Sequence, residues 1–210
     1  MSHLIIIVGG LGDTGKSLLN VISWWRWFGF DLVSFETKWR SMETFEQKLK
    51  RLDKLVNSFK KRYGKISLVG TSAGGSFVFN YLIKNPNKVY KAINICGRIK
   101  IGELDGYRNL ISMAKSSQSF EDSVRLIDHK IDKTFLPRLM NIRPVWDELV
   151  PGDTSYLKGA VNKTIFSIEH LVSIFLSLTL FSKLIILFLL EPPLESEGLI
   201  YLRGGRGVIL

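Results

Sequence analysis

Short apolar runs and amphipathic stretches alternate along the first half of the chain. Leu4–Val8 is continuously apolar and is closed by Gly9-Gly10. A run so short and so uniformly apolar predicts a strand covered on both faces. Residues 16–27 predict a helix rich in tryptophan (Trp24, Trp25, Trp27), and Asp31–Phe35 a second strand. Phe45, Leu49, Leu52, Val56, Phe59 and Tyr63 then recur at steps of three and four, which places them on one helix face. Ile66–Val69, closed by Gly70, predicts a third strand. Residues 74–84 predict a helix that stops before Pro86, and Val89–Ile95 a fourth strand. Strands fed by helices imply an α/β fold, a mostly parallel central sheet with helices on both faces.

The rhythm breaks between Arg98 and Asn141. Leu110–Lys115 and Phe120–Ile131 are helical in pattern and no strand intervenes, so residues 98–140 read as a helical lid insertion. Strand signals resume at Ile142–Trp146 and Lys163–Ser167, with a short helix at Thr154–Leu157 between them. From Leu171 to Leu190 the only charge is Lys183. This stretch is expected to be the terminal packing helix; contact with a membrane surface is its other reading, because its length suits a bilayer. Residues 1–190 thus form one domain, and residues 191–210 an unpatterned C-terminal tail.

Composition narrows the class. A length of 210 residues suits a single core, and 46% hydrophobic with 23% charged residues is globular, which excludes disorder for the bulk of the chain. A single cysteine, Cys96, excludes an intramolecular disulfide framework. The N-terminus runs straight into the first strand without a basic segment or a small-residue cleavage site, so a cytoplasmic location is expected. The formal charge of +10 is concentrated: residues 37–65 hold ten basic and three acidic residues. They lie on and around the amphipathic helix, and no nucleic-acid motif accompanies them. The basic face therefore reads as solvated surface, with no nucleic-acid partner.

Two motifs compete for the chemistry. Gly10–Ser17 matches G-x-x-x-x-G-K-[ST] between a strand and a helix, the setting of a phosphate-binding loop. Such a loop also needs a strand-end carboxylate to organise Mg²⁺, and only Glu36 offers one. The second motif is Gly70-Thr71-Ser72-Ala73-Gly74, which is G-x-S-x-G between a strand and a helix. That is the setting of a nucleophile elbow, a turn so tight that it lifts the serine hydroxyl above the sheet. A serine nucleophile needs a general base and an orienting carboxylate. Asp147 follows Val145-Trp146, and His170 lies just past Thr164-Ile165-Phe166. Each sits at the C-terminal end of a predicted parallel strand, where such sheets build their sites. Ser72, Asp147 and His170 are therefore the candidate triad. His129, His3, Glu148, Asp153 and Cys96 are weaker: Asp153 suits a helix cap, and Cys96 a small buried hydrophobe.

The order Ser72, Asp147, His170 and the turn Asp147-Glu148-Leu149-Val150-Pro151 resemble the α/β-hydrolase superfamily over roughly residues 4–190. The loop Gly9-Gly10-Leu11-Gly12 departs from that pattern, with glycine where histidine is frequent. The resemblance implies a small serine esterase or lipase, with backbone N–H groups of Leu11 and Ala73 as oxyanion donors. It implies a small ester or thioester substrate, no cofactor and no metal. Two alternatives stand beside it: a nucleotide-binding protein using Gly10–Ser17, and a non-catalytic membrane-associated protein that keeps the fold.

Overall fold

The structure, a computed structural model, describes residues 2–12, 15–103, 108–128 and 131–192. Six strands form one parallel sheet: β1 (His3–Val8), β2 (Phe30–Phe35), β3 (Lys65–Thr71), β4 (Ala92–Ile95), β5 (Leu139–Pro144) and β6 (Val161–Ile165). Their order is β2-β1-β3-β4-β5-β6. The chain moves one way from β1 to β2, then crosses back over β1 to β3. The C-terminal edge between β1 and β3 is thus the point where strand order reverses, and loops leaving these strands diverge there to leave a crevice.

The apolar run of β1 is explained by its two neighbours. Leu4, Ile6 and Val8 face one core layer, and Ile5 and Ile7 face the other; all five are fully buried. The first layer is closed by α2 (Phe45–Lys60), α3 (Gly74–Lys84) and α5 (Gln118–Asp128). The second is closed by α1 (Gly15–Val21), a 3-10 segment Ser23–Phe28, α6 (His170–Leu178) and α7 (Ser182–Leu190). Burying one such aliphatic side chain contributes about 1.5–3 kcal/mol, so a strand apolar on both faces stabilises both layers at once. The start of α2 is fixed locally. Thr44 and Gln47 form a reciprocal capping box, Thr44 accepting from the Gln47 N–H and Gln47 from the Thr44 N–H.

Several boundaries differ from the sequence reading; β4, for one, begins at Ala92 and not at Val89. The tryptophan-rich helix splits at Ile22 into α1 and the 3-10 segment. Trp25 is fully buried, its indole N–H donating to Leu178 O, while Trp27 is 87% exposed. β5 begins at Leu139 and stops at Pro144, whose ring removes the next ladder donor. Val145 and Trp146 are therefore exposed loop residues, with their N–H groups on Ser167 O. β6 likewise begins earlier, at Val161. The apolar stretch after Leu171 forms α6 and α7, bent by 51° at the break. Among the described residues no single helix is long and apolar enough to cross a membrane. The Lys91 ammonium closes the end of α7, donating to Phe188 O and Glu191 O.

Among the described residues of 98–140 the helices are α4 (Leu110–Ala114), α5 and a 3-10 segment Lys133–Arg138, and the last two positions already belong to β5. α5 packs as a layer helix beside α3: the Ser76 and Ser123 hydroxyls are 2.6 Å apart, and the Asn80 amide donates to Ser123 O. From α4, Met113 reaches the crevice described below. His129 and the tail from residue 193 lie outside the described residues.

Candidate active site

β3 ends at Thr71, and Ser72 turns the chain into α3 with φ 51°, the left-handed region. A non-glycine residue there costs on the order of 1–3 kcal/mol unless its surroundings hold it. Ser72 is held on both sides: its N–H donates to Ile95 O and its carbonyl accepts from the Gly75 N–H, each at 2.9 Å. The flanking glycines are steric necessities. A Cβ on Gly70 would lie 2.2 Å from Gly74 O, and one on Gly74 would lie 2.3 Å from Val8 O.

Asp147 follows β5 in a buried turn. Its Oδ1 accepts from the Leu149 and Val150 N–H groups, both at 2.8 Å. Its Oδ2 is 2.8 Å from His170 Nδ1, and His170 Nε2 is 3.0 Å from Ser72 Oγ. Three side chains from distant parts of the chain thus form one hydrogen-bonded row. Asp147 and His170 are 5% and 2% exposed, so water does not compete for their contact.

The histidine's placement comes from helix-end chemistry. His170 opens α6, where unpaired N–H groups and the helix dipole favour anions. Glu169 caps that end, accepting from Leu171 and Val172, and the Val172 N–H holds its carboxyl below the usual range. Glu148, from the aspartate turn, accepts the His170 backbone N–H at 2.9 and 3.2 Å. One carboxylate side chain of the Asp147 turn therefore grips the ring, and the next grips the backbone of the same residue.

The other candidates fall elsewhere. Burial pushes the Cys96 thiol well above its ordinary value, and the Asp147, Glu148 and Glu169 carboxylates add to the effect, so this cysteine stays protonated. His3 lies at the opposite sheet edge with Nε2 2.9 Å from Ser67 Oγ; burial first, then Lys65 and Lys91, lower its pKa to about 4. The Asp153 turn is a 3-10 segment, Gly152–Ser155. In the Gly10–Ser17 stretch, Asp13 and Thr14 lie outside the described residues and Lys16 is exposed on α1. Gly10 abuts the serine: a Cβ there would come 2.7 Å from Ser72 Cβ.

The sequence reading missed two features. By sequence Glu148 is only a weaker candidate, and its grip on His170 depends on the turn geometry. Asn94, Asn141 and Asn162 stand in register on β4, β5 and β6, with side-chain amides joined in a row at 3.2 Å steps. Asn94 also donates to Gly97 O, fixing the loop that underlies Ser72. Polar residues inside apolar strands were the available signal. An apolar groove of about 480 Å³ opens beside Ser72 and His170, between α1 and α6. None of Trp24, Trp25 and Trp27 lines it.

By sequence, the chain matches no family model and no curated protein. By structure it matches many solved chains. It is similar to a monoacylglycerol lipase from Paleococcus ferrophilus, with a TM-score of 0.65 and 14% identity over 89% of this chain and 93% of that one. Est1E from Butyrivibrio proteoclasticus gives a TM-score of 0.63 at 18% identity, over 90% and 87%. MGS-MChE2, an alpha/beta hydrolase enzyme from the metagenome of Mar Chica lagoon sediments, gives 0.62 at 16% identity, over 88% and 89%. The chain has the α/β-hydrolase fold.

Proposed function

We propose that the protein is a serine hydrolase that cleaves a carboxylic ester or thioester through an acyl-enzyme. The observation that carries this reading is the row Asp147–His170–Ser72, with contacts of 2.8 and 3.0 Å, at the edge of an apolar groove. The Ser72 oxygen attacks the substrate carbonyl carbon as its proton passes to His170 Nε2. Asp147 Oδ2 accepts from Nδ1, which fixes the tautomer and stabilises the imidazolium. The N–H groups of Leu11 and Ala73 hold the oxyanion, each donor worth on the order of 3 kcal/mol. The carbon–oxygen or carbon–sulfur bond to the leaving group breaks, and His170 returns the proton to it. Water, deprotonated by His170, then attacks the acyl-serine, releasing the acid and restoring the Ser72 hydroxyl. The mechanism calls on no metal or organic cofactor.

The likeness to a lipase and to Est1E supports this reading, as does the strain held at Ser72. A nucleotide-binding role for Gly10–Ser17 is disfavoured because Gly10 is spent on close packing against Ser72. Labelling by a fluorophosphonate tests the proposal. The wild type is expected to label once, with labelling abolished in Ser72→Ala and strongly slowed in His170→Ala. A folded wild type that does not label would favour the non-catalytic alternative. Labelling that survives Ser72→Ala would put the nucleophile elsewhere.

A further inference from the structure

We infer that the groove between α1 and α6 is an acyl-chain site, and that the preferred ester carries an uncharged, extended acyl group of medium length. This inference rests on the hydrolase reading and narrows its substrate class. The groove's long walls are Leu18 and Val21 from α1 and Leu171, Ile174, Phe175 and Leu178 from α6. Positions 171, 174, 175 and 178 share one helix face, so they form a continuous apolar stripe. Ser72 and His170 stand at one end, and buried Leu178 stands two turns away at the other.

The stripe sets a length. Seven residues at a rise of about 1.5 Å span about 10 Å. An extended carbon chain advances about 1.2 Å per bond, judged from the reach of a polypeptide backbone, so about eight or nine carbons fill the stripe. The volume of about 480 Å³ lies within the usual range for small-molecule sites and far exceeds what an acetyl group occupies. The lining also sets a charge. His170 is the only titratable side chain among the described lining residues, so a terminal carboxylate on the acyl chain would be desolvated without a partner.

The test is a series of p-nitrophenyl esters with acyl chains of two to sixteen carbons, plus an eight-carbon ester ending in carboxylate. Full burial of a methylene is worth about 0.8 kcal/mol, or about fourfold; for a half-open groove about twofold per methylene is expected. kcat/KM should therefore rise at least about 50-fold from two to eight carbons and level off beyond about ten. The terminal carboxylate should cost at least about 100-fold. Val21→Phe should move the optimum to shorter chains, and Leu178→Ala to longer ones, with fluorophosphonate labelling of Ser72 retained in both. A labelled enzyme whose profile is flat, peaks at acetyl, tolerates the carboxylate or ignores both variants overturns the acyl-chain assignment alone. Absence of Ser72 labelling in the folded wild type overturns the hydrolase reading beneath it.

Discussion

Asp147→Asn probes the proposed row with almost no change in shape. In the native protein Oδ1 accepts from the Leu149 and Val150 N–H groups at 2.8 Å each, and Oδ2 faces His170 Nδ1. The two backbone donors decide how an asparagine carboxamide must lie: its oxygen stays on them, and its NH₂ turns to His170. The NH₂ can only donate, so Nδ1 must accept and the ring proton moves to Nε2. Nε2 then points a proton at Ser72 Oγ and has no lone pair to receive one. Restoring the productive tautomer means flipping the carboxamide, which sets an NH₂ against two N–H groups. Each lost bond costs about 1–3 kcal/mol, or about 2–6 kcal/mol together. That corresponds to a loss of about 30-fold to about 10⁴-fold in rate, the upper end matching what a tautomer error costs in serine triads generally. The assay is the rate of fluorophosphonate labelling and of p-nitrophenyl ester turnover, beside a thermal melt showing an unchanged fold. Asp147→Asn within tenfold of wild type in a folded protein would refute the proposed role of the carboxylate.

Three further outcomes follow from the same geometry. In Gly10→Ala the new Cβ would meet Ser72 Cβ at 2.7 Å. The loop or the serine must shift, and turnover should fall about 10–100-fold, as a displacement near 1 Å does, with little change in melting temperature. Leu52→Ala, at a fully buried α2 position, should cost about 2–5 kcal/mol in urea unfolding, whereas Ile111→Ala, at a residue 55% exposed, should stay within about 0.5 kcal/mol. His3 is lowered from 6.5 to about 4 by burial and by Lys65 and Lys91. The unfolded chain therefore binds the proton first, and the His3 contribution to stability should be lost as pH falls from 6.5 towards about 4, with no further loss from this residue below it. His3→Gln should flatten that window in a pH series of unfolding midpoints.

What could be read from the chain was whatever a short segment decides by itself. Leu4–Val8 is apolar at every position, which only a strand covered on both faces requires. Gly70-Thr71-Ser72-Ala73-Gly74 encodes its own turn, because the glycines are the residues that clear Gly74 O and Val8 O. Asp147 and His170 were legible because each follows a strand that must end on the same sheet edge in a parallel sheet. Other features depend on segments meeting. The break that makes α6 and α7 out of one apolar stretch is invisible to periodicity, since both halves are equally hydrophobic. Glu148 becomes the anchor of the His170 backbone only when the aspartate turn docks on the start of α6. The groove arises because α1 and α6, about 150 residues apart in sequence, cover the same face of the sheet beside the strand-order reversal. Sequence fixes what each element needs to bury, but which surfaces come to face one another is a property of the packed layers.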